Sequence, residues 1–177
     1  PKATDSDGPA QLSQRSDSTY WPGACVIGST YNVELAELLG VMVGNEGLFK
    51  DIQGWYAPSM NIHRSPFSGR NFEYYGQDGV HTGLMAAAVV KGARSKGMVT
   101  YIKHFALNDQ EQDRQLNGGV ITWASEQSMR EIYLRSFEYA VKRGDANATM
   151  GSFNRIGIMP SVTHYDFYVS VTREEWG

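Results

Sequence analysis

Three places in the sequence bring together side chains able to hold a polar ligand or carry a proton. The first is Asn61-Ile62-His63-Arg64-Ser65-Pro66-Phe67-Ser68-Gly69-Arg70-Asn71-Phe72-Glu73-Tyr74-Tyr75, with two arginines, a glutamate and several aromatics. A guanidinium is a planar fork of donors that can grip two hydroxyls or a carboxylate. Equally, Arg70 and Glu73 can form a salt bridge that only shapes the loop. The second place is Lys103-His104, which offers hydrogen bonds to vicinal hydroxyls, or else a solvated lysine beside a packed histidine. The third is Asp7-Gly8-Pro9, a turn signature whose aspartate also accepts from hydroxyls. The four histidines, at 63, 81, 104 and 164, lack metal-ligand spacing, so no metal is expected. No Gly-x-Ser-x-Gly elbow occurs, Cys25 has no evident partner base, and no cofactor is expected.

These groups need a scaffold, and the composition supplies one. The chain has 177 residues, 41% apolar and 20% charged, a profile of a folded domain with a core. Its formal net charge of -3 and its scattered lysines and arginines argue against nucleic acid and anionic membranes as partners. No apolar run reaches the length of a membrane span. The single cysteine fits a cytoplasmic protein without excluding secretion. Pro1-Lys2-Ala3-Thr4-Asp5 has no basic-then-apolar leader pattern and no initial Met, as expected of a piece of a longer chain.

The elements alternate. Residues 1–23 read as a loop-rich start, and 24–177 as alternating strands and helices in one domain. Strands are expected at Ala24 to Gly28, Tyr56 to Ile62, Met98 to Phe105 and Ala148 to Phe153. Helices are expected at Asn32 to Phe49, Val80 to Lys96, Ser125 to Arg143 and Tyr165 to Trp176. Asn32 serves as N-cap of the first helix, while Gly97 and Gly144 stop the second and third. On the third, Glu131–Arg135 and Glu138–Lys142 are spaced as i,i+4 pairs. Such alternation argues for a parallel sheet with right-handed crossovers, and polar residues gather after the strands, where such folds carry their sites. No GxGxxG follows the first strand, so a dinucleotide fold lacks its fingerprint.

At this point the residues resemble a known family. Gly54-Trp55-Tyr56-Ala57-Pro58 through Glu73 is similar to the signature region of family-three glycoside hydrolases, the bacterial β-glucosidases in particular. The resemblance continues through Tyr101 to Glu111, Arg130-Glu131-Ile132-Tyr133-Leu134 and Ser152-Phe153-Asn154-Arg155-Ile156-Gly157, and ends on Arg173-Glu174-Glu175-Trp176-Gly177. It spans nearly the whole chain in order. It implies an α/β fold: a partial TIM-like (β/α)8 barrel with parallel strands, incomplete at both ends, its opening strand missing. It implies that Asp7, Arg70, Lys103, His104 and Arg114 bind the hydroxyls of a β-glucoside's terminal, glucose-like sugar.

The resemblance also carries departures. Many members have an Arg where this chain has Ser13, and a Tyr where it has Phe153, although Phe occurs in the bacterial subgroup. Ile158 to Val162 lacks the Trp or Gly-rich turn of the family. The family's catalytic aspartate belongs to a strand expected after Gly177, and its acid/base to a later domain, so no catalytic residue is expected in this chain. The expectation is a fragment of a retaining, exo-acting β-glucosidase, inactive alone, partnered by the rest of the enzyme or another copy of itself. The alternative is a non-catalytic carbohydrate-binding or scaffold protein built on the same barrel.

Overall fold

A computed structural model describes residues 4–115 and 119–177. The reading of the first three residues, and of the middle of the loop expected over 106–122, lies outside the described residues. Four parallel strands form the main sheet: β1 (Asp5–Ser6), β2 (Gly54–Trp55), β3 (Val99–Phe105) and β5 (Ala148–Gly151), in the order β1-β2-β3-β5. The registers are Asp5↔Gly54, Gly54↔Val99 and Tyr101↔Ala148. Helices α2 (Val33–Lys50), α3 (Gly79–Arg94) and α5 (Arg135–Gly144) fill the crossovers. The parallel α/β arc expected from the alternation is therefore present.

The helices form where apolar spacing and caps agree. Asn32 Oδ1 accepts from the Leu35 N–H at 2.9 Å, and Asp78 Oδ1 from the His81 N–H at 2.6 Å. In α2, Ala36, Leu39, Gly40, Val43, Gly44 and Gly47 are the buried face, turned to α3. Its glycines serve close approach: a Cβ on Gly40 would lie 2.1 Å from the Val89 carbonyl oxygen, and one on Gly92 of α3 2.1 Å from that of Glu37. Helix α3 lies between α2 and α5 and is buried along nearly its whole length.

Several expectations are corrected. Ala24–Ser29 is a helix, α1, not a strand. A short apolar run suits a buried turn of helix as well as a buried strand, and here Gly28 is pressed against the Tyr75 carbonyl, where a Cβ would meet the oxygen at 2.2 Å. The opening strand is not wholly missing, because β1 lies inside the loop-rich start. Of Tyr56 to Ile62, only the preceding Gly54–Trp55 joins the ladder, with one isolated bridge, Ser59↔Lys103. Pro58 has no N–H to donate there. The third helix is broken into α4 (Glu126–Ser128), a π-helical segment Met129–Tyr133 and α5. The wider π turn offsets the face by a residue. Arg135 therefore pairs with Glu138 at 2.9 Å rather than with Glu131, whereas Lys142–Glu138 forms as expected at 3.0 Å. Gly144 is the last helical residue, and Asp145 adopts the left-handed cap at φ 60°. The last helix, Asp166–Glu175, is π-type.

A second sheet was not foreseen. Strands β4 (Ile121–Thr122), β6 (Arg155–Ile156) and β7 (Met159–Pro160) form a small mixed sheet. Its β6–β7 hairpin turns through Gly157 at φ 59° and Ile158, and so closes the segment that lacks the family's turn.

Candidate functional site

All five expected residues lie beyond the C-terminal ends of β1, β2 and β3, or in the last residues of β3, the end that carries sites in parallel α/β folds. Asp7 follows β1 directly. Its Oδ1 accepts from the Gly8 N–H at 2.7 Å and from Lys103 Nζ at 2.6 Å. Gly8, at φ 97°, makes the turn, and Ser13 steadies it by donating its hydroxyl and its N–H to the Asp7 carbonyl at 2.8 and 3.0 Å. The expected turn is therefore present, and the Asp7 carboxylate within it holds Lys103.

Lys103 is buried, at 1% exposure, not solvated. Burial pushes its ammonium below the usual lysine range, against the pull of Asp7. Burial likewise pushes the Asp7 carboxyl up, but Lys103, the Gly8 N–H and the Arg70 charge carry it below the usual carboxylate value.

His104 is held from three sides by Asn61. The Asn61 amide accepts from the His104 N–H at 2.8 Å and donates to its carbonyl at 3.0 Å, which fixes the amide's orientation. The same Oδ1 lies 3.3 Å from the ring Nδ1. An amide oxygen only accepts, and the Tyr74 hydroxyl, 3.4 Å from the same nitrogen, gives its proton to the Asn108 carbonyl at 3.4 Å, so Nδ1 carries the proton and Nε2 is left as an acceptor. Nε2 is buried and has no partner among the described residues. Burial, with the charges of Arg70, Lys103 and Arg114, pushes the ring pKa down to about 2, so the imidazole is neutral.

Arg70 does make the salt bridge considered for it: Nε donates to Glu73, itself buried and accepting from Ser59 Oγ at 2.9 Å. Its Nη1 also reaches Glu111 Oε2 at 3.3 Å. That leaves Nη2 without a partner among the described residues, and a donor to spare. Arg114 Nη1 meets the same Glu111 oxygen at 2.9 Å, and its guanidinium lies 5.0 Å from the ring centroid of Phe153. Phe153 thus provides a face for the cation. The Arg70 and Arg114 charges are both felt at Lys103 and His104. The five residues therefore form one cluster.

Other members of the cluster escaped the sequence reading. Asn61 and Glu111 lie in stretches already singled out, and Glu111 precedes Arg114 by three residues, a spacing that could have flagged the pair. Asp109 Oδ1 accepts from the Ile62 N–H at 2.6 Å, tying the loop after β2 to the loop after β3. Burial pushes its carboxyl up to about 7, against the Ile62 N–H and Arg64. Nothing in the spacing announced this contact. Among the described residues no His, Cys, Asp or Glu group is arranged to hold a metal ion, and no helix is long and apolar enough to cross a membrane. Cavities of about 390 and 590 Å³ open elsewhere, one beside His164 and Phe167 and one between Tyr31, Tyr75 and His81.

Residues 4–177 match the family described as the glycosyl hydrolase family 3 N terminal domain. The chain is 36% identical over 181 residues to Beta-glucosidase A of Butyrivibrio fibrisolvens, covering 100% of this chain and 21% of that protein. It is 36% identical over 172 residues to an exo-alpha-(1->6)-L-arabinopyranosidase of Bifidobacterium longum, covering 97% of this chain and 22% of that protein. The solved structure of beta-glucosidase 3B from Thermotoga neapolitana in complex with glucose superposes with a TM-score of 0.94 at 40% identity, over 100% of this chain and 26% of that one. The chain thus spans about a fifth of the length of these curated relatives.

Proposed function

The chain belongs to glycosyl hydrolase family 3, and on that premise we propose that it supplies the terminal-sugar subsite of a retaining, exo-acting β-glucosidase-type enzyme. In this reading the 177 residues form one partial barrel unit. Asp7, Arg70, Lys103, His104 and Arg114 grip the hydroxyls of a glucose-like ring, and both catalytic carboxylates come from elsewhere.

One observation carries the proposal. Donors and acceptors suited to vicinal hydroxyls gather at the C-terminal end of the main sheet: Lys103 Nζ, the spare Nη2 of Arg70, the Arg114 guanidinium, the Asp7 carboxylate and the bare Nε2 of His104. Because the His104 ring is neutral with Nδ1 protonated, Nε2 accepts from a sugar O–H while the cations donate to neighbouring oxygens. A retaining glycosidase also needs two carboxyl groups about 5 Å apart, one a nucleophile and one an acid/base. Three carboxylates of the cluster are instead committed to a cation, Asp7 to Lys103, Glu73 to Arg70, and Glu111 to Arg70 and Arg114, while Asp109 is buried and accepts from the Ile62 N–H. This supports a role in holding the ring. As the anomeric carbon gains positive character, the hydroxyl contacts orient the ring toward its flattened, oxocarbenium-like form. The T. neapolitana relative's complex with glucose supports the ligand class.

The test compares the full-length protein containing this chain with the 177 residues alone, using an aryl β-glucoside. The full-length protein hydrolyses it, the isolated chain does not, and Arg70→Lys in the full-length protein lowers kcat/KM at least about tenfold because an ammonium cannot reproduce the fork. Turnover by the isolated chain would sink the proposal, as would full activity of the Arg70→Lys protein. Glucose binding without hydrolysis by the full-length protein favours the non-catalytic alternative.

A further inference from the structure

Arg70 and Arg114 are carried by two different loops, after β2 and after β3, and among the described residues of these loops the regular structure is a 3-10 turn at Asn71–Glu73. No strand ladder sets their positions. Two guanidiniums side by side repel, and each side chain has many rotamers. One carboxylate answers both problems. Glu111 Oε2 accepts from Arg70 Nη1 at 3.3 Å and from Arg114 Nη1 at 2.9 Å, while its Oε1 accepts from Asn108 Nδ2 at 2.7 Å. Its N–H donates to the Ser68 carbonyl at 3.1 Å, joining the two loops through the backbone as well.

We propose that Glu111 is a positioning residue that holds Arg70 and Arg114 as one unit against the terminal sugar. This rests on the subsite reading above. With Nε on Glu73 and one hydrogen of Nη1 on Glu111, the plane of Arg70 is fixed and its remaining N–H donors, both of those on Nη2 among them, are left for the ligand. Arg114 is fixed by Glu111 at one nitrogen and by the Phe153 face beneath it. Glu111 needs no contact with the sugar to act, since its carboxylate works by holding the two arginines and Asn108. Its loss acts through both arginines together.

The experiment measures kcat, KM and competitive inhibition by glucose in the full-length protein containing this chain, for Glu111→Gln, Glu111→Ala, Arg70→Ala, Arg114→Ala and the Glu111→Ala double variants. Glu111→Gln keeps the side-chain shape and one acceptor oxygen, so it should retain the folded circular-dichroism spectrum and melting temperature. Its affinity for glucose should fall about tenfold, the scale of a lost charge-assisted hydrogen bond. Glu111→Ala combined with either arginine variant should lose little more than the worse single variant, because the three act as a unit. Unchanged kinetics in folded Glu111→Ala, alongside a loss in Arg70→Ala, overturn the proposal and leave the subsite reading standing. Fully additive double variants overturn it too, as does unfolding of both Glu111 variants, which would assign Glu111 to the fold alone. If Arg70→Ala and Arg114→Ala both leave glucose inhibition unchanged, the subsite reading itself fails, and the proposal with it.

Discussion

Lys103 Nζ donates to Asp7 Oδ1 at 2.6 Å, a contact between residues 96 apart in sequence. The two lie at the ends of β3 and β1, with β2 between them, so the bond spans the mouth of the sheet. The partners differ in exposure, with the lysine side chain 1% exposed and the carboxylate 57%. Removing the carboxylate leaves a buried ammonium without its anion. Asp7→Ala is therefore expected to destabilise the chain by about 1 to 2 kcal/mol, toward the low side because water screens the exposed partner. Lys103→Met, which removes the buried charge itself, should cost less. Urea denaturation of the two variants measures the difference, and equal losses would contradict the asymmetry.

Asp109 and His104 make opposite contributions to stability across mildly acidic pH. The folded-state pKa of Asp109 is raised from 3.8 to about 7, so its contribution is present below 3.8 and is lost as pH rises toward 7. That of His104 is depressed from 6.5 to about 2, so stability falls as pH drops below 6.5, where the unfolded chain takes up the proton. Between about pH 4 and 6.5 one group gains a proton on folding and the other loses one, and the slopes offset. Asp109→Asn keeps an oxygen for the Ile62 N–H and removes one slope. The variant should match the unsubstituted chain near pH 4, exceed it at pH 8, and lose up to about 1.4 kcal/mol per pH unit on acidification below 6.5. Chemical denaturation at pH 4, 5, 6 and 8 checks this, and parallel curves at all four would refute it.

The α2–α3 crossing depends on bare backbone. Gly40→Ala places a methyl where the Val89 carbonyl oxygen and the Ala93 nitrogen already sit, at 2.1 and 2.9 Å. The helices must then part, at about 1–3 kcal/mol. Leu38→Ala, on the outer face at 51% exposure, is the control and should cost well under that. Thermal melts of both variants decide; equal melting temperatures would mean the crossing has slack that the geometry denies.

Much of this was legible in the chain itself. The period of Ala36, Leu39, Gly40, Val43, Gly44 and Gly47, the Asn32 cap and the alternation of strand with helix depend on local propensity and burial, which sequence carries directly. Ordered motifs over nearly the whole chain pointed to the family and to Asp7, Arg70, Lys103, His104 and Arg114 as a set. Other features needed the third dimension. Ala24–Ser29 coils rather than extends, and packs Gly28 against the Tyr75 carbonyl, a contact 47 residues away that the local sequence does not show. The π turn at Met129–Tyr133 changes which acid Arg135 meets. The protonated nitrogen of His104 is set by Asn61, and the link between the two arginines by Glu111. Residue types and spacing identify groups able to bind hydroxyls, because chemistry belongs to the side chain. Which groups are paired, which keep a free donor and which are stripped of charge by burial depends on distances between loops that are remote in sequence, and only the folded chain sets those.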